Sequence, residues 1–107
     1  MSYSDELRAA IRRVIRGQRE DVTAAQARAI KALYGYVKST AIPAALRYHD
    51  ADPGDYGWSS LSEDAWYAVE GTAKYQKLQR ALDATGVAEM AGPATFDVAA
   101  EDYLKQR

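Results

Sequence analysis

The residues best placed by type to do chemistry are His49, Asp50, Asp52 and Asp55, a histidine followed by alternating carboxylates in a turn. Such a set can gather a hard cation. An EF-hand loop beginning at Asp50 would need an acid or amide at position 54, a glycine at 55 and a glutamate at 61. The chain has Gly54, Asp55 and Leu61 there. A single histidine with no cysteine makes a poor zinc site, and ordinary turn preferences account for the aspartates and for Pro53-Gly54. No metal is assigned. With no cysteine at all, disulfides, thiolate ligands and cysteine nucleophiles are excluded. No glycine-rich phosphate loop is present, and no carboxylate lies at a telling distance from a partner base. The expectation is a non-catalytic protein with no cofactor and no small-molecule substrate.

Two other groups of residues point to binding. Asp50 to Ser62, DADPGDYGWSSLS, is the one long run whose composition cannot continue a helix, and Tyr56, Trp58, Trp66 and Tyr67 crowd about it. Tyr and Trp are enriched at interfaces because a large apolar body carries a polar handle. These four are the candidate partner-binding residues. Arg8, Arg12 and Arg16 recur at helical spacing with Arg13 and Arg19 nearby, which predicts an arginine stripe on the solvent side of the first helix. With Arg28 and Lys31 it could meet nucleic-acid phosphates, in a loose helix-turn-helix arrangement. It could equally meet an acidic protein surface or pair with the acidic second half of the chain.

The run Gly57-Trp58-Ser59-Ser60-Leu61 resembles the attachment motif of acyl and peptidyl carrier proteins, a Gly-x-Asp-Ser-Leu turn opening a helix, with Ser59 in place of the Asp. Thr95-Phe96-Asp97-Val98-Ala99-Ala100 is similar to the start of a carrier's last helix. The resemblance covers about a dozen residues and implies that Ser60 would bear a phosphopantetheine arm. Capping by Ser60 explains the same residues more simply.

These residues have to be positioned by helices. Asp5 and Glu6 suit the first turn of a helix capped by Ser2 or Ser4, with Leu7, Ala10, Ile11, Val14 and Ile15 on its buried face and Gly17 at its end. Thr23 and Gln26 form a capping box, so a second helix starts at Ala24 and buries Ala27, Ile30, Leu33, Tyr34 and Val37. Ala25, Ala29 and Ala32 should let neighbours approach closely. Pro43 means that the helix either breaks near Ser39-Thr40 or kinks; a break is expected, with a short third helix from about Pro43 to His49 burying Ile42, Ala45 and Leu46. Ser60 to Glu63 is a second capping box, and Ala65, Trp66, Val69, Ala73, Leu78 and Leu82 carry helical spacing across Gly71, which marks either a break with Thr72 recapping or a close helix crossing. Gly86 predicts a stop, and Thr95 a final helix burying Phe96, Ala99, Ala100, Tyr103 and Leu104.

The fold expected is therefore a single all-α domain, residues 1–107, a small bundle of four to five helices around a long central loop. Its core should be thin, because 21 of the apolar residues are Ala and only 18 residues are Leu, Ile, Val or Phe. Burial against a second chain would compensate. Charge is segregated: residues 1–48 carry nine Lys and Arg against four Asp and Glu, and residues 49–107 five against eleven. Complementary halves suit docking or self-association. No apolar run reaches the ~18 residues that span a bilayer, and the N-terminus does not read as a signal peptide, so a cytoplasmic protein with no membrane partner is expected. The reading is a protein–protein interaction or assembly module, self-associating into a homo-oligomer. Its Ala- and Arg-rich composition suits a small phage or mobile-element protein. A nucleic-acid-binding protein using the arginine stripe is the alternative.

Overall fold

The computed structural model describes residues 5–18, 22–49 and 68–105. They are all-helical, with α1 at Asp5–Ile15, α2 at Ala24–Tyr36, a π-helical turn at Val37–Ala41, α3 at Ile42–His49, α4 at Ala73–Asp83 and α5 at Ala91–Lys105. Among the described residues there is no strand. The central run from Asp50, the capping box at Ser60 and the start of the helix through Trp66 lie outside them.

Local chemistry sets most of the helix ends. Gly17, at φ 88°, terminates α1 with its N–H on the Val14 carbonyl and the Gln18 N–H on the Arg13 carbonyl, the paired bonds of a Schellman motif. At the start of α2 the Gln26 N–H donates to the Thr23 hydroxyl at 3.1 Å, and the Thr23 N–H donates to the Gln26 side chain at 2.9 Å. The same glutamine donates to the Thr85 carbonyl at 3.0 Å, tying the start of α2 to the α4–α5 connection. Gly71 is a break: Thr72 recaps, accepting from the Tyr75 N–H at 3.2 Å. Gly86, at φ 82°, forms the stop after α4.

Two boundaries depart from the sequence expectation. There is no break at Ser39-Thr40, because Ile42 stays helical at φ −67°, ψ −48° and donates to the Val37 carbonyl five residues back. Proline has no N–H and its ring crowds the carbonyl four residues earlier. The wider turn absorbs both defects without ending the helix. It also keeps the buried stripe in phase. Val37 and Ile42 are both fully buried, whereas residues five apart on an α-helix point about 140° away from each other. The second departure is α5, which begins at Ala91 rather than at Thr95. Pro93 sits in the first turn, where a missing N–H removes no helical bond. Thr95 is interior and buried, its hydroxyl donating to the Ala91 carbonyl at 2.7 Å.

α2 and α5 form the centre. Each packs on the other and on α1, the π turn and α4. α5 is accordingly buried around much of its circumference, through Ala91, Ala94, Thr95, Phe96, Val98, Ala99 and Ala100. Such a helix carries small and apolar residues on several faces rather than one stripe. Ile11, Val14, Ala27, Ile30, Leu33, Val37, Ala41, Ile42, Ala45, Val69, Tyr75 and Leu82 complete the core of the described residues. Seven of its eighteen apolar members are alanine, so each contributes little transferred area and the helices must approach closely. The alanines that achieve this lie mainly on α5. Ala25 and Ala32 are exposed on α2 instead.

Candidate functional site

Two features stand out on the described residues: a charged seam joining α1, α2 and α5, and an apolar groove beside the π turn. The seam corrects the expected arginine stripe. Arg8 and Arg12 do not lie on the solvent side; their side chains are only 20% and 25% exposed and face α5. Arg8 pairs with Asp5 on its own helix and approaches Asp97 at 3.7 Å. Arg12 pairs with Glu101 and approaches Asp102 at 3.5 Å. Asp97 and Glu101, at i and i+4, share the side of α5 that faces the i, i+4 pair on α1, and Asp102 lies further round the helix, between α1 and α2. From α2, Tyr34 donates to Asp102 at 2.7 Å.

Burial governs the titration of this seam. It pushes the Asp97 carboxyl up to about 6, despite the nearby arginine. It also raises the Tyr34 phenol to about 12, helped by the hydrogen bond to the Asp102 carboxylate and by that charge. Arg13 is half-buried, Arg16 is exposed, and Arg19 lies outside the described residues. The stripe is thus divided. Its first two members join the basic first half of the chain to the acidic second half within one molecule, and Arg16 is left to solvent. Spacing alone could not reveal this, because Leu7, Ala10 and Ile11 define a buried side without saying how far around the helix its neighbours reach.

The groove has a volume of about 400 Å³ and is lined by Tyr36, Thr40, Ala41, Ala44, Ala45, Ala68, Val69 and Thr72. Tyr36 and Thr72 are hydrogen-bonded through their hydroxyls at 3.1 Å, which fixes part of the wall. One wall is the continuous helix carrying Tyr36, Thr40, Ala41, Ala44 and Ala45, with Thr40 and Ala44 exposed beside buried Ala41 and Ala45, and the other carries Ala68, Val69 and Thr72. A volume near the lower end of the ~300–1,000 Å³ range of ligand clefts is enough to receive large apolar side chains. No sequence signal marks it, since half of its described lining is alanine. A second cleft, of about 290 Å³, lies between α1, α2 and the α4–α5 connection, with Leu7, Ile11, Val14, Ile30, Val87 and Ala91 on its walls.

Tyr56, Trp58, Trp66 and Tyr67 lie outside the described residues, as do Asp50, Asp52, Asp55 and the carrier-like Ser60. The other half of the carrier resemblance, Thr95 to Ala100, lies inside α5 rather than at its start. Among the described residues no three His, Asp or Glu side chains are grouped as a metal-binding set, and no helix is long and apolar enough to cross a membrane. Tyr75, which the sequence reading missed, is buried within α4; its hydroxyl donates to Gln79 at 3.0 Å, and burial raises its phenol to about 12. Comparison with protein-family models, with curated proteins and with solved structures finds no match to the chain.

Proposed function

We propose that this chain is a non-catalytic interaction module that associates with a second copy of itself through the apolar groove beside the π turn. The observation that carries the reading is the groove, an apolar hollow on a bundle whose own core is poor in large side chains. Apolar surface of this kind gains free energy when a partner removes it from water. The charged seam supports an apolar rather than an ionic contact, because Asp97, Glu101 and Asp102 already face α1. The anchors are drawn from the aromatic residues of the central stretch, Trp58 first, with Tyr56, Trp66 and Tyr67. Buried aromatics dominate the energy of most interfaces.

Two substitutions test the reading. Trp58→Ala removes the proposed anchor, and Ala44→Glu places a charge on an exposed residue of the groove wall. Each should weaken association by more than ~1 kcal/mol, while circular dichroism of the monomer retains the wild-type helical signal. If Trp58→Ala instead lowers the stability of the monomer by about 3 kcal/mol or more, with association unchanged, Trp58 belongs to the core and the binding role is withdrawn.

A further inference from the structure

Four cations outside the charged seam lie on one continuous helical rod. From Val22 to His49 the chain has no Asp or Glu, and Arg28, Lys31, Lys38 and Arg47 fall within that span. α2, the π turn and α3 run without interruption over residues 24–49, roughly 39 Å at the rise of a helix. In a regular α-helix Arg28 and Arg47 would lie about 100° apart around the axis, and the extra residue of the π turn brings them to the same side. Arg28, Lys31 and Arg47 are exposed, as are Ala32, Ser39 and Ala44 between them. Lys38 is half-buried with its ammonium 5.6 Å from the centre of the Tyr34 ring. Among the described residues no carboxylate pairs with Arg28, Lys31 or Arg47; the ion pairs belong to Arg8 and Arg12.

We infer that this outer face of α2 and α3 is a docking surface for the phosphate backbone of a nucleic acid. The intervals between the four cations are unequal, at about 4.5, 10.5 and 13.5 Å of rise. An acidic protein would have to place carboxylates to match that irregular series. A nucleic-acid duplex is instead a nearly uniform line of charge, one per ~1.7 Å of axis, and offers a phosphate within reach of each cation. The exposed described residues between the cations, Ala32, Ser39, Thr40 and Ala44, are small, and none of them holds a rod-like polyanion away. Contacts to phosphate fix position and carry no sequence information directly, so the surface is expected to read charge and not sequence. Its cations do not line the groove, although Ala44 borders both surfaces.

The test is fluorescence anisotropy with a labelled 20-base-pair DNA duplex, at salt concentrations from 20 to 200 mM. The expected result is weak binding whose logarithmic salt slope is about −3, as three to four phosphate contacts require. Arg28→Glu with Lys31→Glu and Arg47→Glu should weaken binding at least tenfold with helicity unchanged. Lys74→Glu with Lys77→Glu, on exposed positions of α4, should change it less than twofold. Binding with no salt dependence, no binding at 20 mM salt, or a loss confined to the α4 variant would each overturn the inference. So would capture of poly-L-glutamate in preference to the duplex.

Discussion

Tyr34 of α2 donates a 2.7 Å hydrogen bond to Asp102 of α5, and Arg12 of α1 approaches the same carboxylate at 3.5 Å, so one side chain joins three helices. Hydrogen bonds to a charged group are worth more than neutral ones, although partial exposure to solvent reduces the gain. Tyr34→Phe should therefore cost about 1 kcal/mol of folding stability, and Arg12→Ala about 1–2 kcal/mol because Glu101 also loses its partner. Chemical denaturation of each single variant and of the pair measures the coupling. Losses that simply add, to within about 0.3 kcal/mol, would mean that the seam does not act as a unit.

Asp97 gives the fold a pH dependence of definite sign. Its carboxyl is raised from 3.8 to about 6 in the folded chain, so between those values the folded state holds more of the proton than the unfolded state does. The associated stability is full below about pH 4 and is lost as pH rises through 6. Solvent screening at this part-exposed group limits the effect to on the order of 1 kcal/mol. Asp97→Asn should flatten the melting temperature between pH 4 and pH 7 relative to wild type, leaving Arg12 and its partners intact. A variant whose profile still matches that of wild type would remove Asp97 as the source.

Gly92 allows α5 to pass close to α4. A β-carbon built there would run into the Gln79 side-chain amide, and Gln79 is held by Tyr75 at 3.0 Å and by Asp83 at 2.9 Å. Gly92→Ala should therefore displace the Gln79 amide and destabilise by about 1 kcal/mol through its lost hydrogen bonds. In a Gln79→Ala background the same substitution should cost little. If Gly92→Ala is as stable as wild type by thermal unfolding, the glycine is not a packing requirement.

The features legible in the sequence are those decided within a few residues. Thr23 with Gln26, the recapping at Thr72 and the glycine stops at 17 and 86 each satisfy local backbone groups, and they need no knowledge of the rest of the chain. The π turn was not legible. Pro43 by itself argues for a break, and only the burial of Ile42 and Ala45 on the far side makes a continuous helix the better outcome. Tertiary packing likewise decides the start of α5, where buried Ala91 and Ala94 extend the helix upstream of Thr95. The charges were visible as a segregation between halves, but which arginines pair was not, because it depends on the side of α5 that α1 meets.

Self-association through the groove is the central claim, and sedimentation equilibrium tests it most directly. Across a concentration series spanning the micromolar range, the wild-type chain should show a weight-average mass rising above the 11.8 kDa of the monomer, and Ala44→Glu should return it toward that value. A wild-type mass that stays at 11.8 kDa throughout the series would contradict the account.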